Sequence, residues 1–147
     1  MVELSQTTIS LIGSNLIKGN EPASNDTLVE VKAIGLYCAG YWCPPCKMLT
    51  PVLIDFYNEV NKDYKQFEVI YLSCDKDENQ FKEYFGTMPW LAIPYSELSL
   101  VNKIKEKHNI KGLPTLFVIK PDDTVISINA KGEVFSIGPD CFQEWIK

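Results

Sequence analysis

The chain has 147 residues, of which 46% are hydrophobic and 22% charged, enough for one domain with a sizeable core. Its net charge of −5 argues against a basic phosphate-binding surface, so no nucleic-acid partner is expected. No apolar stretch approaches the roughly 18 residues of a membrane span, and the N-terminus lacks the basic and apolar regions of a signal peptide. We therefore expect a single domain over residues 1–147, no membrane partner, and a cytoplasmic location with the nucleus as an alternative.

The expected location bears on the roles of the five cysteines in the chain. In a reducing compartment, cysteines are more often thiols, metal ligands or catalytic groups than structural disulfides. The elements that carry them must decide between these roles. The cysteines are Cys38, Cys43, Cys46, Cys74 and Cys141.

The N-terminal region is expected to form a hairpin and a loop before the core begins. Short apolar runs on both sides of residues 13–15 (Gly-Ser-Asn) predict a β-hairpin over residues 8–18. Residues 19–27 are polar and predict a loop. The domain is therefore divided into an N-terminal hairpin and loop, residues 1–30, and a core, residues 31–147.

A buried strand, an amphipathic helix and a second buried strand come next. Residues 33–38 are apolar throughout, which predicts a central strand buried on both faces. Beyond residue 46, apolar side chains recur at helical spacing, with Pro51 expected to kink the helix. Residues 67–73 predict the second core strand. The apolar stripe of the helix consists of Leu49, Leu53, Phe56 and Val60.

Two further helices are predicted after the second strand. The first begins within residues 75–78 and carries three aromatic side chains. Ser96 is the expected N-cap of the second helix, which runs to about His108. The residues expected to face inward are Phe81, Tyr84, Phe85, Leu100, Val101 and Ile104.

The C-terminal residues predict an antiparallel hairpin and a short closing helix. Residues 115–119 and 124–128 flank a Pro-Asp-Asp turn, and residues 141–146 form the helix. This order of elements requires parallel core strands joined by crossover helices, with an antiparallel hairpin at one side. The predicted fold class is therefore an α/β sandwich.

Cys43 and Cys46 are placed for redox chemistry. The strand over residues 33–38 leads to Cys43, and Pro44 is suited to the first turn of the following helix. A helix N-terminus stabilises a thiolate and lowers the pKa of a cysteine there. Helix geometry places the Cα atoms of Cys43 and Cys46 about 5 Å apart, within the range that a disulfide accepts.

The two positions predict unequal roles for the two thiols. Cys43, at the helix end, is expected to be exposed and acidic, whereas Cys46 is shielded one turn further in. Cys43 would then attack a substrate disulfide to form a mixed disulfide, and Cys46 would resolve it. The active group is the Cys43–Cys46 disulfide itself, so no other cofactor is expected.

Two other roles for the dithiol are less favoured. A structural disulfide over so short a loop stabilises little and does not suit a reducing compartment. The spacing C-x₄-C-x₂-C…C from Cys38 to Cys74 matches a plant-type iron–sulfur site. However, Cys38 ends an apolar strand, and Pro44 and Pro45 have no N–H to donate to cluster sulfurs. We therefore expect no metal.

Three segments resemble the thioredoxin superfamily. Residues 42–51 (W-C-P-P-C-K-M-L-T-P) are similar to thioredoxin's W-C-G-P-C-K-M-I-A-P. The W-C-P-P-C motif, residues 84–95 with M-P-W-L-A-I-P, and residues 110–116 (I-K-G-L-P-T-L) resemble the tryparedoxin and nucleoredoxin branch. The likeness extends from about residue 30 to the C-terminus. It implies a thioredoxin-like three-layer α/β/α sandwich, with a mixed central sheet and the N-terminal β-hairpin.

The resemblance also assigns residues around the dithiol. It implies that Pro114 is a cis-proline facing the dithiol and that the backbone of Leu113 pairs with a bound substrate strand. Trp42, Pro44 and Pro45 would lie beside the dithiol. Trp42 would either cover the dithiol and contact substrate or only pack against its neighbours. Trp90 would either shape the substrate groove or fill the core.

Two departures from thioredoxin matter. Tyr37 stands where thioredoxin has a buried aspartate, as it does in the tryparedoxin-like branch, so the group that deprotonates Cys46 is unidentified, with Asp75 as a candidate. Pro44 replaces a glycine, which is expected to change the redox potential.

The remaining reactive side chains receive simpler predictions. Cys38 and Cys74 end apolar strands and are expected to be small buried side chains, with Cys74 as a regulatory candidate near the active site. Cys141 is expected to be inert. His108 lies among charged residues and is expected to be solvated, which gives no support to a Cys-His protease.

The predicted function is that of a protein-disulfide reductase. The resemblance implies oxidised thiol proteins as clients, such as peroxiredoxins or thiol peroxidases. A low-molecular-weight thiol or a flavoprotein reductase would supply the electrons. The alternative is a nucleoredoxin-like adaptor that binds a partner according to its redox state.

Overall fold

The computed structural model describes residues 7–12 and 15–147, and within them seven helices and seven strands. The helices are α1 Thr8–Ile12, α2 Thr27–Glu30, α3 Pro44–Val60, α4 Glu78–Phe85, α5 Leu98–Lys107, α6 Ala130–Ser136 and α7 Cys141–Trp145. The strands are β1 Leu16–Lys18, β2 Glu21–Ala23, β3 Ala33–Ala39, β4 Phe67–Ser73, β5 Leu91–Ala92, β6 Thr115–Ile119 and β7 Val125–Ser127. No helix among the described residues is both long and apolar enough to cross a membrane.

The strands form one mixed sheet in the order β2-β1-β5-β4-β3-β6-β7. Strand β3 is parallel to β4 and antiparallel to β6, so it has hydrogen-bonded neighbours on both sides. Every residue of β3 and β4 is buried, as the apolar runs in these segments predict. The predicted mixed sheet is confirmed.

Helices cover both faces of this sheet. Because successive side chains of a strand point to opposite faces, Tyr37 of β3 packs with α3, α4, α6 and α7. Leu36 and Cys38 pack on the other face, with α1, α2 and α5. The result is the predicted three-layer α/β/α sandwich.

The N-terminal hairpin exists, but the prediction misplaced it. Its strands are β1 and β2, and its turn is Gly19-Asn20, where Gly19 has a φ of +61° that favours glycine. The predicted first arm is instead helix α1, and the predicted turn residues Gly13 and Ser14 lie outside the described residues. The expected loop over residues 19–27 is also wrong, since it contains β2.

Long-range contacts explain the helix at α1. The Thr8 backbone N–H donates to the carboxylate of Asp123 at 3.0 Å, and the Thr8 hydroxyl lies 2.8 Å from His108 Nε2. His108 is therefore half-buried against the ring of Phe117, and burial lowers its pKa. The expectation of a solvated His108 is wrong, because its helix end is covered by a segment far away in sequence.

The other helices and strands follow the sequence with small differences. The predicted strands β3 and β4 and helices α3, α4 and α7 are confirmed, with Pro51 inside α3. Ser96 is not an N-cap, because it lies in the 3₁₀ turn Tyr95–Glu97 that precedes α5. Strand β5 and helix α6 were not predicted, since β5 has only two residues and α6 contains Gly132.

Candidate active site

The connection from β3 to α3 carries the dithiol. Cys43 occupies the N-cap position of α3 in an extended conformation, and Pro44 and Pro45 follow as the first helical residues. The Cys43 sulfur accepts a hydrogen bond from the Cys46 backbone N–H at 3.4 Å. A free helix N–H thus points at the sulfur, in an arrangement that stabilises a thiolate once the pair is reduced.

Cys43 and Cys46 form a disulfide with a Cα separation of 5.3 Å, in agreement with the predicted spacing. Cys43 is 5% exposed and Cys46 is fully buried. The asymmetry has the predicted direction, but Cys43 is not exposed in the oxidised form, because its sulfur is bonded to Cys46 and turned toward the helix N-terminus. Attack on the Cys43 sulfur by an incoming thiol therefore requires some movement of the surrounding side chains.

Trp42, which directly precedes Cys43, is 44% exposed. Its indole N–H donates to the backbone carbonyl of Cys74 at 2.8 Å. Gly40 allows this contact, since a Cβ there would lie 2.8 Å from the Trp42 indole nitrogen and 3.2 Å from the Cys74 carbonyl oxygen. The loop after β4 therefore holds Trp42 in place.

A neutral hydroxyl cluster lies behind Cys46. The Tyr37 hydroxyl donates to the Cys46 carbonyl at 3.3 Å and lies 2.6 Å from the Thr50 hydroxyl, which in turn contacts the Tyr84 hydroxyl. Burial raises the pKa of Tyr37 well above its ordinary value. Tyr37 therefore supplies an uncharged hydroxyl at the position where thioredoxin has a carboxylate.

Asp75 is buried and accepts three short hydrogen bonds. Its donors are the Tyr41 backbone N–H, the Tyr71 hydroxyl and the Ser73 hydroxyl, each at 2.6 Å. These contacts fix the chain just before Trp42, so the structure gives Asp75 a positioning role in the loop. Its role in deprotonating Cys46 stays a prediction.

The bond between Leu113 and Pro114 is cis, as the resemblance implies. Pro114 is buried and directly precedes β6, which runs antiparallel to β3 with Thr115 opposite Cys38. This register brings Pro114 to the end of β3 from which the chain enters the dithiol loop. The substrate-binding role of Leu113 stays a prediction.

Trp90 lies in the core, which is the second of the two places predicted for it. The side chain is fully buried and packs edge-on against Tyr37 and Tyr57, with ring centroids 6.0 and 5.5 Å away. Its indole N–H has no hydrogen-bond partner among the described residues. This burial does not support a direct contact between Trp90 and substrate.

The four cysteines with iron–sulfur spacing form two separate pairs. Cys43 and Cys46 pack on one face of the sheet, whereas Cys38 packs on the other, with its sulfur 3.2 Å from that of Cys74. No group of three or more histidine, cysteine, aspartate or glutamate side chains in the described part of the chain could hold a metal ion. The fold therefore does not bring these four cysteines together as an iron–sulfur cluster requires.

The contact between Cys38 and Cys74, and the contact of Lys105 with Cys74, were not predicted from the sequence. Cys38 lies opposite Leu72 in the parallel register, so Cys74, two residues further on, points to the same face. The Lys105 ammonium donates to the Cys74 sulfur at 3.4 Å. The sequence signal that could have revealed this pair is that Cys38 and Cys74 each lie at the end of a predicted core strand. Cys141 is buried elsewhere, and burial raises its pKa to about 12.

The comparisons with known proteins agree with one another. A sequence model of the Thioredoxin-like family matches residues 31–125. Nucleoredoxin of Xenopus laevis is 36% identical over 124 residues, which cover 84% of this chain and 30% of that protein. Tryparedoxin of Trypanosoma brucei brucei is 39% identical over 113 residues, which cover 77% of each chain. The chain thus spans about 30% of the length of the nucleoredoxins that it matches.

A solved structure shares the whole fold. The structure of tryparedoxin II complexed with glutathionylspermidine superposes with a TM-score of 0.81 and is 29% identical in sequence. The superposition covers 89% of this chain and 93% of its counterpart. The sandwich fold is therefore common to both proteins.

Proposed function

The chain belongs to the thioredoxin-like family, as an oxidoreductase of the nucleoredoxin and tryparedoxin type, and on this premise we propose that it reduces disulfides of client proteins. The single observation that carries the proposal is the Cys43–Cys46 pair at the N-terminus of α3. A dithiol there has one sulfur at the helix end, where a thiolate is stabilised, and a second within bonding distance.

The reaction starts from the reduced pair. The Cys43 thiolate attacks one sulfur of the client disulfide, an S–S bond to the client forms, and the other client sulfur leaves as a thiolate. Cys46 then loses its proton and attacks the Cys43 sulfur, which releases the second client thiol. The client gains two electrons and the protein is left with the Cys43–Cys46 disulfide, the form seen in the structure.

We propose peroxiredoxins and thiol peroxidases as the client class. Support comes from the likeness to tryparedoxin and from the placement of cis-Pro114 at the same end of the sheet as the dithiol loop. A client strand would pair with the backbone at Leu113, while the exposed ring of Trp42 would contact residues around the client disulfide.

A low-molecular-weight thiol is the proposed electron donor, with a flavoprotein reductase as the alternative. One tryparedoxin II is known in a complex with glutathionylspermidine, a thiol of this class. Such a donor would attack the Cys43–Cys46 disulfide and return two electrons to it. The proposed location is the cytoplasm or nucleus, where donor thiols are abundant.

Dithiothreitol-driven reduction of insulin tests the proposed activity. We expect Cys43→Ser to lower turnover to the level of dithiothreitol alone, because the attacking sulfur is lost. Cys141→Ala is the matched control, since this buried cysteine lies outside the dithiol loop and should leave turnover unchanged. Full turnover by Cys43→Ser would show that the mechanism is wrong.

The likeness to nucleoredoxins favours a second candidate function, a redox-dependent adaptor. In that role the reduced chain binds a protein partner and the oxidised chain releases it. Pull-downs under reducing and oxidising conditions separate the two functions. A partner held equally by a variant lacking both Cys43 and Cys46 would argue for a binding role without redox control.

A further inference from the structure

A second thiol pair lies on the face of the sheet opposite the Cys43–Cys46 disulfide. The sulfurs of Cys38 and Cys74 are 3.2 Å apart, although 36 residues separate them in the chain. Cys38 belongs to β3, and Cys74 directly follows the parallel strand β4. The proposed reductase reaction uses neither sulfur.

The two thiols of this pair have different surroundings. Cys38 is fully buried, whereas Cys74 is partly exposed, and its sulfur accepts a hydrogen bond from the Lys105 ammonium at 3.4 Å. The hydrogen bond from the Cys38 thiol, together with the charge of Lys105, lowers the pKa of Cys74 below that of an ordinary cysteine. Donating that hydrogen bond, and burial, raise the pKa of Cys38. The negative charge therefore resides on the sulfur that solvent can reach.

We propose that Cys38 and Cys74 are a second redox pair, in which a hydroperoxide oxidises Cys74 and Cys38 closes a disulfide with it. The arrangement supplies what such a site needs: an accessible thiolate, a cation to stabilise it, and a second sulfur already in contact. The site is one of oxidative modification, separate from the dithiol that acts on clients.

The chemistry balances with hydrogen peroxide as the oxidant. The Cys74 thiolate attacks one peroxide oxygen, an S–O bond forms, the O–O bond breaks, and the departing hydroxide takes a proton from solvent to become water. The Cys38 sulfur then attacks the sulfenic sulfur of Cys74, and the S–O bond breaks. The released hydroxide takes the Cys38 proton and leaves as water. Two thiols lose two electrons, and the peroxide becomes two waters.

Formation of the Cys38–Cys74 disulfide would change the position of a residue at the active site. The sulfurs must approach from 3.2 Å to about 2.05 Å, and Cys38 is held in β3 by neighbouring strands on both sides. Cys74 at the strand end must therefore move. Its carbonyl oxygen holds the Trp42 indole N–H, so oxidation of the pair shifts the exposed ring beside the dithiol.

The test uses the full chain with Cys43→Ser and Cys46→Ser, so that peroxide cannot act on the first dithiol. After treatment with hydrogen peroxide, disulfide mapping by mass spectrometry should find Cys38 joined to Cys74 within one chain. Cys38 and Cys74 are both unchanged in this variant, so no substitution alters the packing of the pair itself. Linkage to Cys141 or between chains, or no linkage, would overturn the proposal.

Further variants in the same background identify the roles. With Cys38→Ser, dimedone should label Cys74 as a sulfenic acid; with Cys74→Ser, Cys38 should stay unlabelled. Lys105→Gln should slow oxidation of Cys74 near pH 6 by roughly fivefold, since removal of the cation lowers the thiolate fraction. Lys103→Gln, an exposed change on the same helix, is the control. Equal rates for these two lysine variants would contradict the role of Lys105.

The coupling to Trp42 has its own readout. In the NMR spectrum, oxidation of the pair should shift the Trp42 indole N–H resonance. Trp145 is an internal reference, because its indole N–H donates to Glu133 at 3.0 Å. An unchanged Trp42 resonance in the mapped disulfide form would refute the coupling. None of these measurements depends on client reduction, so the proposed function can fail separately.

Discussion

Tyr37 shows how one residue changes the surroundings of the dithiol. Its buried hydroxyl contacts the Thr50 hydroxyl and the Cys46 carbonyl, and its raised pKa keeps it uncharged. The resolving cysteine therefore has a neutral hydrogen-bonding group behind it rather than a carboxylate. Sequence alone identified the substitution, but the contact with Thr50 depends on packing between β3 and α3.

Replacing Tyr37 by phenylalanine tests this hydroxyl. We expect Tyr37→Phe to lower the free energy of unfolding by about 1 kcal/mol, because one buried hydrogen-bonding group is lost while Thr50 keeps its other partners. Urea denaturation is the measurement. Tyr64→Phe, an exposed tyrosine, should cost less than about 0.5 kcal/mol, and equal losses would contradict the assignment.

Cys74 gives a prediction for pH. Its pKa is lowered, so the reactive thiolate persists below pH 8.5, about where an ordinary cysteine becomes protonated as the pH falls. The groups facing its sulfur are Cys38, Lys105 and the neighbouring Asp75. The rate of iodoacetamide labelling at Cys74, followed by peptide mass spectrometry in the variant without Cys43 and Cys46, should have its midpoint well below about pH 8.5. A midpoint near 8.5 would refute the lowered pKa.

Among the secondary-structure elements, local sequence predicts the long ones and misplaces the short ones. Helix α3 and strands β3 and β4 carry continuous apolar patterns that local sequence alone reveals. Helix α1 has five residues, and its Thr8 is held by Asp123 and His108, which are 115 and 100 positions away in the chain. A local pattern contains no record of such contacts, so the hairpin was predicted too early.

The connection between β3 and α3 can be tested at Gly40. A methyl group there would lie 2.8 Å from the Trp42 indole nitrogen and 3.2 Å from the Cys74 carbonyl oxygen, so Gly40→Ala must displace both. We expect it to destabilise the protein by about 1–3 kcal/mol in urea denaturation. Gly112→Ala is the matched control, because nothing lies within 4 Å of the added methyl group. A similar loss for Gly112→Ala would show that the effect does not arise from this contact.

At the scale of the whole molecule, the sheet gathers both cysteine pairs at one end. Parallel β3 and β4 end together, so the dithiol loop and the Cys38–Cys74 pair lie on opposite faces of the same edge. Antiparallel β6 brings cis-Pro114 to this edge as well. Motifs identified Cys43, Cys46 and Pro114 in advance. Identification of the Cys38–Cys74 pair required the strand register and the position of α5, which cannot be read from the sequence.

Capture of a client in a mixed disulfide tests the central claim most directly. Reduced Cys46→Ser protein is mixed with an oxidised peroxiredoxin, and covalent products are resolved by non-reducing electrophoresis and mapped by mass spectrometry. We predict an adduct through Cys43 that dithiothreitol releases, and none with Cys43→Ser, since the attacking sulfur is then absent. An adduct of equal yield with Cys43→Ser, or one that maps to another cysteine, would contradict the assignment of Cys43 as the attacking thiol.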